Sequence, residues 1–91
     1  MGGAGDPTLE RLRTEIAAVD AAIVEAVNRR LELVRQIRDH KHTLGIPFVD
    51  QAREDSNLAR LEHANGGPLS PDGLRRLYRG LLELTKRETE R

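Results

Sequence analysis

The sequence predicts an all-α protein of three helices, one very long, one short and one medium. Apolar residues recur at steps of three and four, the spacing of one face of a helix. Clustered Gly and Pro divide the chain at two places, around residues 45–47 and 66–71. No segment has the alternating pattern of a β-strand, and no repeat is present.

The first helix is predicted to begin at Asp6-Pro7, where a capping carboxylate precedes Pro at the first helical position. Gly45 and Pro47 indicate its end, with a connecting loop over residues 42–49. No Pro or Gly interrupts the helix, which at 1.5 Å per residue is about 50 Å long. Its apolar face consists of Leu9, Leu12, Ile16, Val19, Ile23, Ala26, Val27, Leu33, Val34 and Ile37.

The length of this helix favours a dimer. A compact chain of 91 residues has a radius of gyration of about 12 Å, so a 50 Å helix overhangs such a body by roughly a third. The overhang carries apolar residues that need cover, and a second copy related by a two-fold axis supplies it. A lone coiled-coil helix with a loose tail is the alternative, but the face is too rich in Ala and Val for a regular heptad seam.

The second helix is predicted to begin after Asp50, a good N-cap, and to end at the Asn65-Gly66-Gly67-Pro68 sequence. Ser70 and Pro71 begin the third helix with the same cap-and-proline pattern. The apolar face of the third helix consists of Leu74, Leu77, Tyr78, Leu81, Leu82 and Leu84, and it continues into Thr85, Glu88 and Thr89.

Two cations interrupt the apolar face of the first helix. Arg30 and Lys41 stand where the spacing calls for apolar residues, about 16 Å apart along the axis. On the second helix Glu54 stands in line with Leu58 and Leu61. Structural roles are one interpretation, with Arg30 or Lys41 paired to Glu54, or Lys41 extending to solvent from a frayed helix end. Two cations on one inward face favour the other interpretation, a site for a small dianion.

Composition excludes several functional classes. The chain has 15 Lys+Arg and 15 Asp+Glu residues and only 2% aromatics, so it lacks the basic face and stacking platform of a nucleic-acid-binding protein. Without Cys it has no disulfide, thiolate nucleophile or thiolate metal site. His40, His42 and His63 are expected at the surface, with no metal-binding spacing.

The length and composition of the chain predict one domain at residues 7–91 after a flexible leader at residues 1–6. No run approaches the roughly 20 apolar residues of a membrane span, and no signal peptide is visible. We therefore expect a soluble cytoplasmic protein that contacts no membrane.

Taken together, these residues resemble the all-α (class II) chorismate mutase family over about residues 9–89. No single sequence motif is specific to this family, but the order and spacing of the motifs are. The motifs are Leu12-Arg13-x-x-Ile16-x-x-x-Asp20, Asn28-Arg29-Arg30, Lys41, the Gly45–Pro47 turn and Asp50-x-x-Arg53-Glu54.

The resemblance implies an intertwined homodimer with two active sites and a single reaction, the rearrangement of chorismate to prephenate on the way to phenylalanine and tyrosine. The reaction is an intramolecular pericyclic step, and the resemblance implies neither a cofactor nor a metal. Such a step is favoured when the dicarboxylate is held in a compact conformer and cations face the ether oxygen, where charge gathers.

The resemblance also assigns site residues. Arg30 would bind one substrate carboxylate and Arg13 the other, while Lys41 would contact a carboxylate and the ether oxygen. Glu54, with the backbone near Asp50, would bind the ring hydroxyl. Arg53 would steady that corner, and Thr85, in place of the family's usual Ser, would contact a carboxylate.

One position departs from the family. Where Gln or Glu usually shares the ether oxygen with the lysine, this chain has Thr89, with Glu88 one residue before it. Thr is shorter by about two bonds and would act directly or through a water. Either residue can be the second donor to the ether oxygen.

Three other functions are compatible with the same residues. Within the fold, relatives act as isochorismate pyruvate lyases or as 4-amino-4-deoxychorismate mutases, and the carboxylate-binding cations suit all three substrates. Outside catalysis, the chain could be a helical dimer module with a degenerate site, although the cations Arg13, Arg30 and Lys41 argue against decay.

Overall fold

A computed structural model of the protein describes residues 5–90 and contains three helices. They are α1 (Pro7–Leu44), α2 (Gln51–Ala64) and α3 (Pro71–Thr89), with no strand in the described range. The all-α prediction and its long, short and medium helices are confirmed. Of the expected leader, residues 1–4 lie outside the described residues, and Asp6 belongs to the cap of α1.

Local hydrogen bonds define both ends of α1. The Asp6 carboxylate accepts from the backbone N–H groups of Thr8 and Leu9, at 2.9 and 3.1 Å. At the other end Gly45 has φ +71°, and its N–H donates to the His42 carbonyl while Ile46 N–H donates to that of Lys41. This pair of bonds is a Schellman motif, in which a left-handed residue closes a helix.

The loop after α1 is shorter than predicted. The sequence predicts a loop that begins at residue 42, but the helix continues to Leu44. The reason is that Gly45 is the first residue in this region with the left-handed backbone that ends the helix.

The chain divides into two units, Met1–Glu32 and Leu33–Arg91. In the first unit, α1 exposes the apolar face predicted from the sequence. The exposed fractions are 44% for Leu12, 60% for Ile16, 58% for Val19 and 55% for Ile23. A face of large apolar side chains at this spacing is typically covered by a partner helix.

In the second unit α2 and α3 pack together, and each begins with the predicted cap. Asp50 Oδ1 accepts from Arg53 N at 3.1 Å, and Ser70 Oγ accepts from Gly73 N at 3.0 Å. The small core lies on α3 and includes Leu74 and Tyr78. Thr85 and Thr89, the other buried residues of the described chain, also lie on α3.

Asn65 organises the connection between α2 and α3. Its Nδ2 donates to the Leu69 carbonyl at 2.8 Å, and its Oδ1 accepts from Gly67 N at 3.0 Å. Gly67 has φ +81°, which only glycine adopts without strain. Within residues 5–90, none of the helices combines the length and apolar character needed to cross a bilayer.

Candidate active site

Lys41 is the best-defined candidate of the second unit. Its side chain is half-buried, and its Nζ donates to the carbonyl oxygen of Phe48 at 3.0 Å. The helix end here is closed rather than frayed, because the Lys41 carbonyl itself accepts from Ile46 N. An ammonium group has three donors, so the bond to Phe48 fixes its position and leaves two donors for a ligand.

Two arginines that the sequence interpretation missed connect α1 to the end of α3. Arg38 Nη1 donates to the Thr89 carbonyl at 3.0 Å, and Arg35 Nη2 donates to the Glu88 carbonyl at 3.1 Å. Arg38 also lies over the ring of Phe48, 4.9 Å from its centroid. The sequence does contain an indication of these bonds. No glycine follows α3 to cap it, and the last carbonyls of a helix need hydrogen-bond partners.

Thr85 and Thr89, each 5% exposed, lie one turn apart on the buried face of α3. Thr89 Oγ1 donates to the Thr85 carbonyl at 2.6 Å, and Thr85 Oγ1 donates to the Leu81 carbonyl at 2.7 Å. The Thr89 hydroxyl must therefore rotate away from the Thr85 carbonyl before it can donate to a ligand. Glu88 is half-buried on the same turn.

Glu54 lines a cleft between α2 and α3. The cleft has a volume of about 300 Å³ and is also lined by Leu58, Tyr78 and Lys86. Glu54 is half-buried, as its alignment with Leu58 predicted. Within residues 5–90 its carboxylate has no ion pair, so the expected pairing with Lys41 is not observed there.

The residues just before Glu54 have less buried positions. Asp50 is exposed, and its carboxylate accepts from the backbone N–H of Arg53 as the N-cap of α2. The Arg53 side chain is also exposed. His40, His42 and His63 are exposed, as predicted.

Arg13 and Arg30 belong to the first unit. Arg13 is exposed and forms an ion pair with Glu10 at 3.4 Å, whereas Arg30 is half-buried. The two arginines are 17 residues apart on one helix, a separation of about 25 Å at 1.5 Å per residue. A single copy of this unit therefore cannot bring both guanidinium groups to one small molecule.

These features define a class of protein: an all-α chain whose half-buried cations and buried hydroxyls suit a small, negatively charged ligand. A family comparison identifies the class more closely. The model of the chorismate mutase type II family matches residues 12–90, and the chain belongs to that family.

Individual relatives agree with this assignment. A T-protein of Haemophilus influenzae is 38% identical over 76 residues, which are 78% of this chain and 20% of that protein. A 4-amino-4-deoxychorismate mutase of Streptomyces pristinaespiralis is 33% identical over 87 residues, 92% of this chain and 65% of that one. This chain therefore spans only about a fifth of the T-protein's length.

A solved structure has the same fold. The form II chorismate mutase structure from Thermus thermophilus matches with a TM-score of 0.86 at 30% identity. The match covers 92% of this chain and 96% of that one.

Proposed function

We propose that this protein is a chorismate mutase, an isomerase that rearranges chorismate to prephenate in the synthesis of phenylalanine and tyrosine. The observation that carries the proposal is the half-buried Lys41, whose ammonium is held by the Phe48 carbonyl within a chain of the chorismate mutase type II family. A fixed cation of this kind stabilises the charge that develops on an ether oxygen.

The reaction needs position and charge rather than a nucleophile. The C–O bond of the enolpyruvyl ether breaks while a C–C bond forms between its methylene carbon and the ring, so no group leaves the molecule. A folded substrate with both reacting carbons in contact supplies much of the rate acceleration. In this proposal Arg30 and Arg13 hold the two carboxylates in that folded form, and Lys41 faces the ether oxygen.

Residues of α2 and α3 complete the proposed site. Glu54 accepts a hydrogen bond from the ring hydroxyl, because its half-buried carboxylate has no ion pair in the described chain. Asp50 and Arg53 are placed beside the same hydroxyl. Thr85 is placed beside a substrate carboxylate, and Thr89 or Glu88 beside the ether oxygen. The side chains of the site are proposed to act without a metal or a cofactor.

The proposed assembly is a cytoplasmic homodimer in which both chains contribute to each site. Two observations support the dimer: the exposed apolar face at Leu12, Ile16, Val19 and Ile23, and the distance between Arg13 and Arg30. We expect sedimentation at micromolar concentration to give a mass near twice the 10.2 kDa of one chain. A mass of one chain would contradict the shared site.

The second donor to the ether oxygen is expected to be Thr89, because its hydroxyl is buried on the face of α3 that Arg38 links to α1. A hydroxyl does not titrate below about pH 10, so kcat should be flat from about pH 5 to 8. Thr89→Val should lower kcat about tenfold, and Glu88→Gln should change it less than twofold.

Glu88 would give a different profile. A carboxyl group donates a hydrogen bond only when protonated, so a Glu88 donor would make kcat fall as pH rises through the pKa of that carboxyl in the complex. A decline that disappears in Glu88→Gln would show that Glu88, not Thr89, is the donor.

A second candidate function is 4-amino-4-deoxychorismate mutase. It is favoured by the Streptomyces relative, which matches 92% of this chain. The Glu54 carboxylate accepts a hydrogen bond from an amine as well as from a hydroxyl, so this residue does not separate the two substrates. Isochorismate pyruvate lyase activity and a non-catalytic dimer module stay as further alternatives.

The proposal is tested by incubating the purified protein with chorismate and following the loss of its ultraviolet absorbance, with chromatography of the product. We expect prephenate to form far faster than in the protein-free control. A rate equal to that control would contradict catalysis, and pyruvate release in a parallel assay with isochorismate would favour the lyase.

A further inference from the structure

Phe48 contacts two cations of α1, one through its backbone carbonyl and one through its ring. Its backbone carbonyl accepts from Lys41 Nζ at 3.0 Å, and its ring lies under the guanidinium of Arg38, 4.9 Å from the centroid. The two cations are three residues apart and therefore project from neighbouring turns of the same helical face. The position of Phe48 thus affects the position of the Lys41 ammonium.

Arg38 extends this link to α3. While its guanidinium lies over the Phe48 ring, its Nη1 donates to the Thr89 carbonyl at 3.0 Å. The side chain is half-buried, and both contacts belong to the second unit. A planar guanidinium can stack on a ring and donate in its own plane at once, which an ammonium cannot do as well.

We propose that Arg38 is a positioning residue for the rearrangement, holding the Phe48 carbonyl that anchors Lys41 at a fixed distance from the Thr85–Thr89 turn of α3. This inference rests on the proposed function. We assign Arg38 no contact with the reacting atoms: its guanidinium lies over the Phe48 ring, and its Nη1 donates to the Thr89 carbonyl. It acts through Lys41 on one side of the substrate and Thr89 on the other.

Arg35 provides a matched control. It also donates from α1 to a carbonyl at the end of α3, that of Glu88 at 3.1 Å, but its side chain is exposed. This bond joins Arg35 to α3, whereas the guanidinium of Arg38 also contacts the ring of Phe48. A role in helix capping alone would make the two arginines equivalent. A role in positioning Lys41 requires Arg38.

The first test compares Arg38→Met with Arg35→Met. Met keeps an unbranched apolar stem on the ring but has no donor. We expect Arg38→Met to lower kcat about tenfold with KM changed less than threefold, since misplacing a catalytic group by about 1 Å slows the reaction more than it weakens binding. Arg35→Met should keep kcat within twofold, and Arg38→Lys should regain part of the loss.

Phe48→Leu removes the ring but keeps the carbonyl. If Arg38 acts through the ring, the double variant with Arg38→Met should be no slower than the slower single variant, because both changes break the same link. An equal loss in Arg38→Met and Arg35→Met, or a roughly hundredfold loss in the double variant, would overturn the proposal.

A spectroscopic measurement keeps the inference testable without activity. The sequence contains only two lysines, Lys41 and Lys86, so the ¹⁵N signal of the Lys41 ammonium can be assigned with Lys41→Ala. We expect its protons to exchange with water at least about five times faster in Arg38→Met than in wild type, because loss of the contact between Arg38 and Phe48 frees the Lys41 ammonium from the Phe48 carbonyl. In Arg35→Met the exchange rate should be that of wild type.

The two kinds of failure are distinguishable. If wild type does not convert chorismate, the proposed function is wrong, and the ammonium exchange alone decides the role of Arg38. If exchange at Lys41 is the same in wild type and Arg38→Met, Arg38 does not position Lys41, whatever the activity.

Discussion

Arg30→Ala and Lys41→Ala are each expected to lower kcat/KM for chorismate by about 10²–10³ while leaving the helices folded. Both side chains are half-buried cations on α1. Lys41 faces the ether oxygen in our proposal, and removal of one donor from a developing oxyanion typically costs this much. Arg30 holds a carboxylate through a charge-assisted pair of hydrogen bonds, which contributes at a similar level.

Arg29→Ala is the matched control for Arg30→Ala. Arg29 is the adjacent residue, but its side chain is exposed and pairs with Glu32 at 3.3 Å on the surface. Such pairs contribute little, so Arg29→Ala should keep its activity within twofold and its thermal midpoint near that of wild type.

Loss of stability without loss of activity would show that the two cations have a structural role. If Arg30→Ala and Lys41→Ala lower the thermal midpoint sharply but retain turnover, their charges serve structure rather than substrate. Circular dichroism melting and steady-state kinetics on the same samples separate the two outcomes.

Arg13 is expected to act on the active site of the partner chain. It is 17 residues before Arg30 on α1, about 25 Å along the axis. An Arg side chain extends only about 6–7 Å, and chorismate is smaller than about 10 Å. Antiparallel packing of the long helices about a two-fold axis would bring Arg13 of one chain to the site that holds Arg30 of the other.

Complementation measures this directly. Arg13→Ala and Arg30→Ala homodimers should both be nearly inactive, but half of the dimers formed by mixing and re-equilibrating them are hybrids. Each hybrid rebuilds one intact site of two, so about a quarter of wild-type activity should return. Arg11→Ala is the control, because Arg11 is exposed and pairs with Glu15 at 3.1 Å on the same helix. Proven hybrids without recovered activity would mean that Arg13 does not act in trans.

The fold could be predicted because its determinants are local. Asp6, Asp50 and Ser70 each accept a hydrogen bond from a backbone N–H within three residues, so the sequence around each cap already specifies the helix start. Gly45 ends α1 by the same kind of local geometry. The one error, a loop expected to begin too early, came from placing the end before the residue that causes it.

The site was less predictable because its contacts are distant in sequence. Spacing alone marked Arg30, Lys41 and Glu54 as inward positions, and all three are half-buried. The bond from Arg38 to the Thr89 carbonyl joins residues 51 apart, and no periodicity in either helix indicates it. Pairings of this kind follow from how helices pack, which the pattern along one helix does not specify.

The assignment of chorismate as the substrate is tested by measuring the relative kcat/KM for chorismate, 4-amino-4-deoxychorismate and isochorismate. All three compounds present two carboxylates to the same cations. Differences in kcat/KM therefore report the preference for one substrate rather than the shared binding of carboxylates. We expect the highest value for chorismate, with prephenate as its only product. A higher kcat/KM for the 4-amino compound, or pyruvate release from isochorismate faster than any turnover of chorismate, would contradict the assignment as a chorismate mutase.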